Sequence, residues 1–175
     1  SETRNIGKKL APKATLNAST VTLKVKQSTS RLKVTRLAKG DSVKSWKSSN
    51  SKIFTVRGKS NGTCKITGKK RGTAKLQITL ASGLKKTVKV RVQTAAVKTS
   101  KITVSKNVTV RKGKRVTLKP VVTPFTSRQK VTYTSSNKKI ATVSSKGVVT
   151  GKKKGTVKIT VKSGSKSVKV TVKVK

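Results

Sequence analysis

The chain has no His, no Met, a single Cys (Cys64) and only two acidic residues, Glu2 and Asp41. General acid–base catalysis needs titratable groups with tuned pKa values, and no such pair is available here. Ser and Lys abound, so no Ser–Lys pair stands out as a nucleophile. Zinc sites built on His and Cys, and calcium sites built on carboxylates, fail for the same shortage. An isopeptide crosslink needs an assisting carboxylate, and only Asp41 is placed to serve. One Cys excludes an intrachain disulfide. No run is long or apolar enough to cross a bilayer as a helix. No signal peptide is evident, although Ser1 is compatible with a removed export signal. Aromatic residues make up 2% of the chain and hydrophobic residues 31%. A core built from this supply is thin and aliphatic, which suits two small domains better than one large one.

What remains is basic. The chain holds 46 Lys and Arg, a net charge of +44, and divides them almost evenly between its halves. Such composition often means disorder, because self-repulsion opposes compaction. Regular apolar spacing argues for order instead. In Val157-Lys158-Ile159-Thr160-Val161-Lys162 the odd positions are apolar and the even ones polar, and Ala74-Lys75-Leu76-Gln77-Ile78-Thr79-Leu80 repeats the pattern. Period two marks half-buried strands. Turn signals at Asn61-Gly62, Ser82-Gly83, Gly113 and Ser163-Gly164 separate the runs, and Pro120 marks an edge or a bulge.

The chain also repeats itself. Trp46-Lys47-Ser48-Ser49-Asn50-Ser51-Lys52-Ile53 returns as Tyr133-Thr134-Ser135-Ser136-Asn137-Lys138-Lys139-Ile140, at an offset of 87. Thr67-Gly68-Lys69-Lys70-Arg71-Gly72-Thr73 returns as Thr150-Gly151-Lys152-Lys153-Lys154-Gly155-Thr156, at an offset of 83. The first copy therefore carries four extra residues, placed near Gly58 to Gly62. Both copies close on an alternating strand, Val88–Val92 and Val168–Val172. This organisation predicts a flexible lead over 1–13, a first domain over 14–93, a linker over 94–97 and a second domain over 98–175. So short a linker predicts an elongated, semi-rigid pair.

The stretch from Tyr133 to Thr160 contains an aromatic, Ser-Ser-Asn, Ile-Ala-x-Val, Gly-x-Val-x-Gly and a later Gly-Thr. It resembles the bacterial Ig-like domain, group 2. The first copy resembles it more loosely, with Phe54 in place of Ala141 and Cys64 in place of Gly147. The resemblance covers nearly all of the chain beyond the lead. It implies an all-β fold of two tandem Ig-like sandwiches of Greek-key type. It also implies a module of adhesins, phage structural proteins or secreted glycan-degrading enzymes, at the cell surface or outside the cell. Fold alone does not choose among those roles. Trp46 and Tyr133 are expected at the sandwich centres, as buried aromatics are in Ig folds. Asn50 and Asn137 suit turns, bonding their own backbone and tolerating left-handed φ.

Two basic turns are the candidate site: Lys69, Lys70 and Arg71, and their partners Lys152, Lys153 and Lys154. A phosphate-binding loop precedes a helix, whereas a strand follows here, so these read as basic β-turns, each a contact point for anions with three adjacent cations at a loop tip. Cys64 shares a strand face with Ile66 and reads as a buried, inert thiol, the alternative being a reactive or crosslinking one. Outward-facing Lys protects sheet edges and aids solubility, but ordinary surfaces intersperse both signs. So one-sided a field attracts polyanions, with binding that weakens as salt rises. Only nine of the basic residues are Arg, and Lys, a point charge, makes adaptable contacts. With so few aromatics, base stacking is scarce, which disfavours a nucleic-acid binder. The expected partners are polyanionic glycans, teichoic-acid-like polymers and the rest of a larger surface protein. The expected role is a non-catalytic spacer with charge-driven association to anionic surfaces. The alternative is a dedicated adhesion module for a host, plant or cell-wall glycan. No cofactor is expected.

Overall fold

A computed structural model of the chain describes residues 13–175. The predicted lead, all but Lys13, lies outside the described residues. The chain divides into two compact units, one ending at Ala96 and one beginning at Val97. Val97 is itself buried in the second unit's share of the chain.

Unit 1 contains β1 (Ala14–Leu16), β2 (Thr20–Lys24), β3 (Ser28–Thr29), β4 (Val34–Leu37), β5 (Val43–Ser48), β6 (Phe54–Gly58), β7 (Cys64–Gly68), β8 (Gly72–Leu80) and β9 (Lys85–Gln93). Its main sheet runs β2-β9-β8-β5, its second β3-β7-β6, and β1 pairs with β4. Unit 2 contains β10 (Lys101–Thr103), β11 (Asn107–Val110), β12 (Arg115–Thr117), β13 (Val121–Thr123), β14 (Val131–Ser135), β15 (Ala141–Val143), β16 (Val148–Gly151), β17 (Gly155–Ser163) and β18 (Lys166–Val174). Its sheets run β11-β18-β17-β14 and β12-β16-β15, with β10 on β13. Strand for strand, the second unit repeats the first. Even the one parallel pairing recurs, β2 with β9 and β11 with β18. Each unit is an Ig-like β-sandwich.

Alternation explains the burial. Ala74, Leu76, Ile78 and Leu80 of β8 are buried, and so are Val88, Val90 and Val92 of β9. Val157, Ile159 and Val161 of β17 and Val170, Val172 and Val174 of β18 do the same in unit 2. The polar residues between them face out, as a pleated strand requires. Gly62, Gly83, Gly113 and Gly164 all take positive φ in their turns. Pro120 lies between β12 and β13, outside both strands.

One expectation needs correction. Trp46 and Tyr133 do not fill the sandwich centres; both are only partly buried. The centre of unit 1 is held by Phe54, fully buried, at the position of the equally buried Ala141. Trp46 lies at the rim, over Gly58, where an added Cβ would meet its ring at 2.0 Å. Its indole N–H donates to the Lys59 carbonyl at 3.1 Å. Tyr133 packs against the margin of its core and covers Gly147 in the same way. Both units close on an alternating strand as expected, and pairing fixes how the two correspond. Gly72 pairs with Val92 and Gly155 with Val174, so Val88–Val92 corresponds to Val170–Val174. A Val-Lys-Val-x-Val strand looks the same after a slip of two residues, so only the partner strand fixes its register. Asn50 and Asn137 do sit in turns as expected, without left-handed φ, since Lys26 is the one non-glycine with positive φ among the described residues. Their side chains accept from Lys52 N–H and Lys139 N–H, each at 3.0 Å, closing two equivalent turns.

The four extra residues extend a hairpin. Val56 pairs with Ile66 as Val143 pairs with Val149, but unit 1 adds the pairs Arg57–Lys65 and Gly58–Cys64 beyond that point.

Candidate functional site

Lys69, Lys70 and Arg71 form the turn between β7 and β8, and Lys152, Lys153 and Lys154 form the turn between β16 and β17. All six side chains are exposed. Each trio is complete within its own unit. The backbone beneath them is fixed by one motif used twice. The N–H groups of Lys69 and Lys70 donate to the Ile53 carbonyl at 2.7 and 3.2 Å. Those of Lys152 and Lys153 donate to the Ile140 carbonyl at 2.7 and 3.1 Å. The following glycine lets that isoleucine lie close: a Cβ on Gly72 would meet Ile53 Cδ1 at 2.8 Å, and one on Gly155 would meet Ile140 Cδ1 at 3.1 Å.

This arrangement has a chemical consequence. A phosphate-binding nest works by aiming free backbone N–H groups at the anion. Here two successive N–H groups of each turn are spent on an internal carbonyl. What the turns offer outward is therefore ammonium and guanidinium groups.

Beyond the turns, every described Lys and Arg is exposed except the half-buried Lys86. Unit 2 contains no acidic residue at all. In unit 1, Asp41 is committed to structure. Its carboxylate accepts from Ser82 Oγ at 2.6 Å, Ser42 N–H at 2.9 Å and Ser82 N–H at 3.0 Å. The Ser82 hydroxyl above all holds the Asp41 carboxyl below its usual range. Asp41 thus clips the β8–β9 turn to the start of β5.

Cys64 is buried, with Sγ 3.5 Å from the Leu32 carbonyl, to which the thiol donates. Burial pushes the thiol up to about 11, so it stays protonated and weakly nucleophilic at neutral pH. Among the described residues, no three His, Cys, Asp or Glu side chains come together.

Sequence reasoning missed a buried polar cluster in unit 2. Ser163 and Thr99 are buried, and their hydroxyls meet at 2.8 Å. Thr99 Oγ1 also lies 2.8 Å from Ser127 Oγ, and Thr99 N–H donates to Gln129 Oε1 at 2.7 Å. Ser163 donates to the Gln129 carbonyl at 3.1 Å. These bonds anchor the first residues of unit 2 to β17. In the linear sequence, nothing distinguishes these hydroxyls from the many exposed ones.

No curated protein matches the chain. It is similar to domains 4 and 5 of the S-layer protein SbsC, at 25% identity over 94% of this chain and 98% of that one, with a TM-score of 0.44. A longer stretch of that S-layer protein is 28% identical over 82% of this chain, which spans 22% of its length, with a TM-score of 0.43. A GH10 xylanase with a bacterial Ig-like domain, from termite gut, is 27% identical over 39% of this chain and 18% of that one, with a TM-score of 0.34. Residues 97–174 match the family model of the bacterial Ig-like domain, group 2. That match falls on the second unit, which is thus similar to the bacterial Ig-like domain, and the first unit repeats its order of nine strands.

Proposed function

We propose that the chain is a non-catalytic spacer of an exported or cell-surface protein, held to anionic wall polymers by its charge. The observation that carries this reading is the display of charge: the chain carries a net +44, and every described Lys and Arg but the half-buried Lys86 is exposed. The second unit's similarity to that family supports the architectural role. The commitment of Asp41 to a turn, and of the basic-turn amides to internal carbonyls, leaves the cations as the groups a partner meets.

A field of one sign raises the local concentration of polyanions, and release of their counterions makes binding strongly salt-dependent. The test is a titration with sulfated, uronate-rich and teichoic-acid polymers across a salt series. The spacer reading expects affinity that follows polymer charge density and falls steeply with salt. Saturable preference for one glycan at matched charge, persisting at physiological salt, would replace it with dedicated recognition of that glycan. Absence of binding even at low salt would remove the association altogether.

A further inference from the structure

The two units share a backbone and differ in charge at one end, so each serves as a control for the other. In unit 2, Lys152 and Lys153 bond the Ile140 carbonyl, which joins the β16–β17 turn to the β14–β15 turn. Gly113 N–H donates to the Gly151 carbonyl at 2.8 Å, and Gly151 N–H to the Lys114 carbonyl at 3.0 Å, which joins the β11–β12 turn as well. Unit 1 repeats these bonds: Lys26 N–H donates to Gly68 at 3.0 Å, and Gly68 N–H to Gln27 at 2.9 Å. The matching bonds fix which positions correspond. Where unit 1 has Val25, Gln27 and Ser51, unit 2 has Lys112, Lys114 and Lys138. Only Lys26 is exchanged the other way, for Gly113.

Unit 2 thus gathers Lys112, Lys114, Lys138 and Lys152–Lys154 on three turns locked together by backbone bonds, all exposed. Like charges so placed repel, and unit 2 has no acidic side chain to offset them. The compensating charge has to come from outside. We infer that this end of unit 2 is the chain's principal anion site, and that it takes a linear polymer bearing closely spaced phosphate or sulfate groups. This rests on the charge-driven association proposed above and assigns it a place. A polymer fits better than a compact anion because the Lys152 and Lys153 amides are occupied and the cations are spread over three turns. No single phosphate would meet them all.

The experiment uses the full chain with two probes, a poly(glycerol phosphate) and a heparin oligosaccharide, whose ranking separates phosphate from sulfate as the preferred group. One variant, K112V/K114Q/K138S, gives unit 2 the residues that unit 1 already carries on the same backbone. A second, K162T/K169T/K173T, removes the same charge from the outer faces of β17 and β18. The turn variant is expected to weaken binding about tenfold or more and to lower the salt slope by about two, while the sheet variant loses less than about threefold. Equal losses in the two variants would overturn the assignment but leave charge-driven association standing. No binding by the unaltered chain would overturn both. Should the turn variant unfold, K138S/K153S carries the same expectation at a smaller loss, against K162T/K169T.

Discussion

Lys26 and Gly113 occupy the same turn position, with φ of 74° and 81°. A side chain in the left-handed region costs about 1–2 kcal/mol, part of which glycine's greater freedom in the unfolded chain offsets. Lys26→Gly is therefore expected to stabilise unit 1 by about 0.5–1 kcal/mol. Urea unfolding followed by the fluorescence of Trp46, the chain's one tryptophan, measures it. Lys26→Ala separates the effects, since it removes the same charge and keeps the strain. If Ala stabilises as much as Gly, repulsion and not backbone geometry is the cause. In unit 2 the corresponding test is Ser163, which is fully buried and bonded to Thr99 and Gln129. Ser163→Ala strands the Gln129 carbonyl and is expected to cost about 1–3 kcal/mol. Unfolding of unit 2, read from Tyr133, should shift while the Trp46 transition stays in place.

The β6–β7 hairpin shows what an inserted element does to its neighbours. Its two added pairs carry Gly58 under Trp46, whereas in unit 2 the shorter hairpin puts Gly147 under Tyr133. Each rim aromatic needs a glycine beneath it, and the insertion moves which glycine that is. Gly58→Ala is expected to lift the indole off its seat, red-shift its emission, open it to acrylamide and destabilise unit 1 by about 1–3 kcal/mol. An unchanged spectrum would show that the indole does not rest there. The insertion was legible in the sequence from the fall in offset between the repeats. The aromatic's place was not, because a large residue on a strand shows which face it takes but not whether that face is centre or rim. Phe54, one strand away, settles it by filling the centre. The site divides the same way. Lys69–Arg71 and Lys152–Lys154 are adjacent in sequence and visible at once. Lys112, Lys114 and Lys138 join the second trio only through Gly113–Gly151, Gly151–Lys114 and the bonds to Ile140, which no local pattern encodes.

For the whole chain, the missing acids and histidines fix how charge responds to pH. Between neutrality and strongly acidic solution, only the side chains of Glu2 and Asp41 take up protons. Asp41's pKa is lowered on folding, so its contribution to stability is present above the unfolded value near about 4 and is lost as pH falls through the folded one. That is one group, and only partly buried. Acid denaturation driven by many paired carboxylates has little to act on here, and stability should instead follow ionic strength, which screens self-repulsion. Binding obeys the same logic with a sharper readout. Taking the protein from neutral pH to about pH 3 leaves its cations unchanged, so any loss of affinity belongs to the ligand. Sulfate groups stay ionised there, while uronate carboxylates take up protons as carboxylates do in acid. Heparin stripped of sulfate should therefore release the chain on acidification, and fully sulfated heparin should hold it with less than about a threefold change at constant salt. Should the sulfated polymer be released just as readily, a titrating group on the protein would control binding, and fixed positive charge would no longer account for the association.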